Sequence, residues 1–169
     1  MLSEGNMKIL GGSTTFISYL CNSKPSIKNQ LYPVDSRAEI EKHLAWFQAR
    51  IKPTSTRLVK MIVQPKAFGD KPPSQQELQR EQEEFFKKLL PTLDKQLEQK
   101  RFFCGPNVTI ADIQYYCEIV TIVSLTKKEL SEGDFPNLAP WFHERMSKIP
   151  ELAALDKKMI EILVKYNFQ

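Results

Sequence analysis

The chain contains no run of about 18 or more apolar residues, and its N-terminus lacks the basic-then-apolar order of an export signal. Neither membrane insertion nor secretion is therefore expected, and the default compartment is the cytoplasm. Cys-x-x-Cys spacing is absent too. The cysteines, Cys21, Cys104 and Cys117, are odd in number and fit buried free thiols better than a disulfide framework or a zinc site. His43 and His143 have no Cys or second His at ligand spacing, so no metal is expected. The formal charge of +4 comes from Lys and Arg interspersed with Glu, not from a block. Nucleic-acid binding, which needs a basic stripe or cluster, is excluded as an expectation. No internal repeat or low-complexity tract is present.

What remains is a globular chain of 169 residues, 41% of them hydrophobic, long enough to bury a core in one domain, or in one and a fragment. Residues 36–51 open with Ser36 and Glu39 in capping-box spacing and place Ile40, Leu44, Phe47 and Ile51 on one helical face. Pro53 should kink or interrupt this helix, but Leu58 and Ile62 resume the period, so a long bent helix to about residue 64 is expected. The loop 66–76 ends in a second cap pair, Ser74 and Glu77, and starts a helix with the stripe Leu78, Phe85, Leu89, Leu93 and Leu97. Pro91 is positioned to bend this second helix, and Gly105-Pro106 to stop it.

From 109 to about 125, apolar residues cover nearly every side of a helix, which marks an element surrounded by protein. At its mouth stand Thr109 and Asp112. A buried carboxylate needs a specific partner, and a reciprocal capping box supplies one: each side chain accepts from the other's backbone N–H, while Val108 packs on Ile113. Their expected role is structural. Two further helices follow, one through Leu138, Trp141, Phe142 and Ile149, the other through Leu152, Leu155, Met159, Ile162, Leu163 and Tyr166. At the front, residues 6–10 fit a short strand with no obvious partner in the chain, Gly11-Gly12 a turn, and Ser13 the cap of a short helix.

Several of these stretches together resemble the cytosolic glutathione transferases, in particular their theta-like branch. Phe102-Phe103-Cys104-Gly105 followed by Thr109-Ile110-Ala111-Asp112 is similar to the start of the family's buried central helix. Asp35-Ser36-Arg37-Ala38 with Leu44-Ala45-Trp46, then Leu89-Leu90-Pro91-Thr92-Leu93, then Phe135-Pro136-Asn137-Leu138 with Trp141 resemble three other helix segments in the right order. Ser13 and Tyr19-Leu20 resemble the last helix of the family's thioredoxin-like domain.

The resemblance implies an all-α, glutathione-transferase-like C-terminal helical bundle at 36–169, a linker at 25–35, and a truncated strand-helix remnant of a thioredoxin-like domain at 1–24. It implies glutathione as co-substrate, held by Gly12 and Ser13, where Gly12 stands in place of the family's acid. Trp46, Phe47 and Lys52 fit core or surface positions at helical spacing, and the resemblance alternatively places them in a pocket for a small apolar electrophile. The thiol-activating residue of the family has no counterpart, so no catalytic residue is expected in this chain, which alone should be inactive. Two readings follow. Either the chain is the electrophile-pocket and dimer-interface part of a conjugating enzyme, or it is a non-catalytic interaction module in a larger assembly, with a homodimer or another polypeptide covering the exposed strand edge.

Overall fold

The computed structural model describes residues 2–4, 7–9, 12–166 and 168, the side chains of 2–4, 7–9 and 13 aside. The described chain opens with an antiparallel hairpin, β1 (Leu2–Glu4) and β2 (Met7–Ile9), in the register Leu2↔Ile9, Ser3↔Lys8 and Glu4↔Met7. The strand expected at 6–10 thus finds its partner within the chain. Its ends, Asn6 and Leu10, and Gly11 of the expected turn lie outside the described residues.

The described residues after the hairpin are helical or connecting. Helix α1 (Ser13–Ser23) takes Gly12 as its N-cap, in extended backbone at φ −82° and ψ 179°. Ser13 is therefore the first helical residue and not the cap; its side chain lies outside the described residues. The segment expected as a linker holds α2 (Pro25–Leu31), which begins on a proline as helix starts favour, and a 3-10 turn at Val34–Ser36.

Next comes one long helical course: α3 (Arg37–Trp46), a π turn at Phe47–Ile51, and α4 (Lys52–Phe68). Antiparallel in sequence order follow α5 (Gln75–Glu83), a π turn at Glu84–Leu89, and α6 (Leu90–Gln96). The two π turns answer the two prolines. In each, the residue before the proline donates its N–H five residues back, Lys52 to the Phe47 carbonyl and Leu90 to the Phe85 carbonyl. Proline has no N–H, and its ring crowds the carbonyl four residues earlier. A locally wider turn accommodates both defects, and the helices run on past Pro53 and Pro91.

Two cap expectations part company here. Ser74 and Glu77 form their capping box, with the Glu77 N–H 3.2 Å from Ser74 Oγ and the Ser74 N–H 2.8 Å from the Glu77 carboxylate. Ser36 and Glu39 do not. Ser36 leaves the 3-10 turn with ψ 1°, which is not the extended backbone that an N-cap needs. The Glu39 carboxylate lies instead toward Lys42 at 3.3 Å, His43 at 3.6 Å and Lys100 at 3.9 Å. The second course also ends before Gly105, at Gln96, where Leu97 closes a tighter turn onto Asp94 and Gln99 adopts φ 60°.

Helix α7 (Ile110–Thr126) is the central element, burying residues on most of its sides. Its contacts reach α3, α4, the π turn at Trp141–Met146, and α9 (Pro150–Lys165). That π turn continues the short α8 (Leu138–Pro140). Asp94 caps α8 from another helix, accepting from the N–H groups of Asn137 at 2.8 Å and Leu138 at 2.7 Å. A Tyr116 hydroxyl to Asp156 hydrogen bond ties α9 to α7. Only Leu152 and Leu163 of α9 are buried; Leu155, Ile162 and Tyr166, expected on the inner face, are exposed. The less exposed Leu152, Asp156, Met159 and Leu163 follow steps of four, three and four, a narrower stripe on the face that carries the Asp156 bond to α7.

Candidate functional site

The start of α7 is built around Asp112, which has 0% of its surface exposed. Thr109 and Asp112 form a reciprocal capping box. Asp112 Oδ2 accepts from the Thr109 N–H at 2.9 Å and the Thr109 hydroxyl at 2.8 Å. Oδ1 accepts from the Phe103 N–H at 3.0 Å and the Trp141 indole N–H at 3.2 Å. The approach to this cap is a tight turn in which Phe102 and Gly105 exchange backbone hydrogen bonds of 3.0 and 3.1 Å. Gly105 sits at φ 131°, a conformation that side-chain-bearing residues rarely adopt. Burial pushes the Asp112 carboxyl above its ordinary range, and its four donors pull the other way.

A second constellation lies along the face shared by α3–α4 and α7. His43 meets Tyr115, and further on Lys52 meets Glu118, so the two helical courses run in the same direction. Trp46 and Phe47 both put their rings edge-on to Tyr115, at 6.1 and 5.8 Å between centroids. Phe47 is fully buried core, whereas Trp46 is only partly buried. Gln48 and Gln114 both donate to the Thr14 hydroxyl in the first turn of α1, Gln114 at 2.6 Å. One helical turn on, Lys52 Nζ lies 3.0 Å from both carboxylate oxygens of Glu118, and buried Ser55 donates to the same carboxylate. The structure therefore ties the first turn of α1, just after Gly12, to Gln48 and Gln114, pairs Lys52 with Glu118 one turn on, sets Trp46 and Phe47 against Tyr115, and puts Thr109 and Asp112 at the start of α7.

Thr14, Gln48, Gln114 and Glu118 were not anticipated from the sequence. Gln48 to Lys52 and Gln114 to Glu118 are each four apart, a spacing that puts polar residues on one helical face, but nothing in the spacing says which helices meet. A cleft of ≈ 760 Å³ lies elsewhere, between Asn29, Asp35, Arg101, Cys104, Arg145 and Lys148; it includes Thr109 and none of Gly12, Trp46, Phe47 or Lys52.

The thiols offer no nucleophile. Burial pushes Cys104 up to about 12 and raises Cys21 and Cys117 as well, which keeps all three protonated. Among the described residues no cluster of His, Cys, Asp and Glu could hold a metal, and no helix is long and apolar enough to cross a membrane.

A family profile described as "Glutathione S-transferase, C-terminal domain" matches residues 54–158. The chain belongs to this family. It is 30% identical over 143 residues to mouse (Mus musculus) glutathione S-transferase theta-2, a match covering 83% of this chain and 57% of that protein. The chain thus spans little more than half the length of this relative. Among solved structures, human glutathione S-transferase T1-1 superposes with a TM-score of 0.74 at 24% identity, over 97% of this chain and 67% of that one. The glutathione transferase URE2P5 of Phanerochaete chrysosporium gives a TM-score of 0.76 at 18% identity, covering 94% and 69%. These likenesses establish a theta-like relative with the family's helical fold.

Proposed function

We propose that this chain supplies the electrophile-binding face of a glutathione transferase that conjugates glutathione to small apolar electrophiles. In this reading residues 36–169 are the helical domain, 25–35 the link, and 1–24 the end of a thioredoxin-like unit. Gly12 and Ser13 meet the γ-glutamyl end of glutathione, while Trp46 and Lys52 border the electrophile. No catalytic residue is assigned within the chain. The protein acts in the cytoplasm as a homodimer or within a larger assembly.

One observation carries the reading. Thr14 is held by Gln48 from the α3–α4 course and by Gln114 from α7, which ties the N-terminus of α1 to the two courses that carry Trp46, Lys52 and Glu118. The docking of the helix assigned to glutathione onto the courses assigned to the electrophile supports the reading, because conjugation requires two reactants held in proximity.

Binding of S-hexylglutathione, followed by tryptophan fluorescence, tests this directly. Trp46 is partly exposed and Trp141 fully buried, so the expected change in emission disappears in Trp46→Phe. No change at millimolar ligand, together with no retention on immobilised glutathione, would overturn the reading and leave an interaction module as the alternative.

A further inference from the structure

Two rungs cross the face between α3–α4 and α7. In the first, Gln48 and Gln114 meet at the Thr14 hydroxyl, all neutral groups. The second carries one positive and one negative charge. Glu118 has 14% of its side chain exposed against 42% for Lys52. Both Glu118 oxygens accept from Lys52 Nζ at 3.0 Å, and Ser55, itself 0% exposed, donates to Oε1.

A carboxylate this sheltered depends on its partners. Drawing Lys52 away toward a bound anion would leave the Glu118 charge with the Ser55 hydroxyl alone, and stranding a largely desolvated charge costs more than a half-exposed ion contact returns. Lys52 is therefore committed to Glu118, and the rung has no net charge. The half-buried Trp46 ring, edge-on to Tyr115 of the same α7, and the amide rung are uncharged as well.

We infer that Glu118 is a specificity-determining residue: by holding Lys52 it makes this face select uncharged aromatic or apolar ligands over anionic ones. The inference rests on the proposed electrophile face and names the class of ligand that the face takes.

Two dyes test it. Anilinonaphthalene sulfonate and phenylnaphthylamine share their ring system and differ by one sulfonate. Binding at this face is read as energy transfer from Trp46, the part of the signal that Trp46→Phe loses. The unsubstituted chain should bind the uncharged dye more tightly. Glu118→Gln, which keeps the shape and frees the cation, should raise sulfonate affinity by about tenfold and leave the uncharged dye within about twofold. Lys52→Gln should shift sulfonate affinity in the opposite direction, which keeps the test valid if Glu118→Gln folds poorly by circular dichroism. The double variant should restore the starting preference.

Transfer from Trp46 to both dyes with no response to Glu118→Gln, or an equal response for both, sinks the inference and leaves the electrophile face standing. No transfer to either dye in any variant removes the face and the inference together.

Discussion

Helix α7 carries two inward carboxylates less than two turns apart, Asp112 and Glu118, and their surroundings differ in kind. Asp112 is wholly buried and meets four neutral donors contributed by Thr109, the turn at Phe103, and Trp141 of a distant π turn. Glu118 is nearer the surface and meets a cation, Lys52, with one hydroxyl behind it. Neutral donors fixed in the backbone can satisfy a charge where water cannot reach, and in doing so they lock together the segments that provide them. A cation at a half-open rim, by contrast, sets the charge that a ligand would meet at the proposed electrophile face. The same chemical group on the same helix thus serves folding in one place and, in the proposed reading, recognition in the other.

The comparison breaks first if Asp112 proves dispensable. Asp112→Ala leaves the N–H groups of Phe103 and Thr109 and the Trp141 indole without an acceptor, each orphan costing roughly 1–3 kcal/mol. A loss of about 4 kcal/mol or more in denaturant-induced unfolding is expected. Asp112→Asn keeps one acceptor and should lose about half as much. A cost near that of an ordinary surface substitution would show that the four hydrogen bonds do not hold the segments together.

His43 sharpens the contrast, because it packs on α7 between these two sites with no ion partner in hydrogen-bonding contact. The Tyr115 hydroxyl donates to the His43 carbonyl at 3.0 Å, so ring Nδ1, 3.3 Å from that oxygen, is the donor. Nε2 is buried without a hydrogen bond, 3.6 Å from Glu39. Burial lowers the His43 pKa, Glu39 opposes, and Lys100 and Lys42 add to the lowering. The neutral ring is favoured in the fold, so the unfolded chain takes up the proton first as the pH falls. Stability is full above the unfolded value of about 6.5 and declines below it, by at most ~1.4 kcal/mol per pH unit. Urea midpoints measured from about pH 8 to pH 5 should fall more steeply in the unsubstituted chain than in His43→Gln; equal slopes would assign the decline to other groups. Glu118→Gln comes lower still. Because Lys52 is 42% exposed, solvent screens the pair, and the expected loss of stability is about 1 kcal/mol or less.

These two carboxylates also mark how far the sequence could be followed. Thr109 and Asp112 were legible because a polar pair three apart before an all-round apolar helix has few explanations, and the helix itself is found at Ile110–Thr126. The same spacing at Ser36 and Glu39 misled. A motif names two residues but not their competitors, and a 3-10 turn fixed the Ser36 backbone while Lys42, His43 and Lys100 drew off Glu39. Prolines 53 and 91 were readable as disturbances, though not as π turns, since a missing N–H says that one hydrogen bond is lost and not that the preceding N–H, of Lys52 or Leu90, reaches five residues back. Glu118 was invisible for a different reason. Its partner is 66 residues away, and Gln114 and Thr14 are 100 apart. Such pairs exist only once α1, α3–α4 and α7 have docked.

The smallest expected effect on stability comes from adding a third carboxylate where no described atom crowds the position. A Cβ at Gly12 would meet no described atom within 4 Å, and φ −82° suits any residue. Gly12→Glu should change stability by no more than about 0.5 kcal/mol, with any gain coming from the positive end of α1. Its effect on binding is expected to be the opposite of small. Gly12 stands where the resemblance places an acid that meets the ammonium group of glutathione, so the new carboxylate should strengthen retention on immobilised glutathione by several-fold at low salt and less at high salt. Unchanged stability with unchanged retention would take Gly12 out of the proposed glutathione contact. Unchanged stability with stronger retention would complete the series on this fold, from a buried carboxylate that organises segments, through a paired one that sets charge at a rim, to an exposed one whose entire contribution is to the ligand.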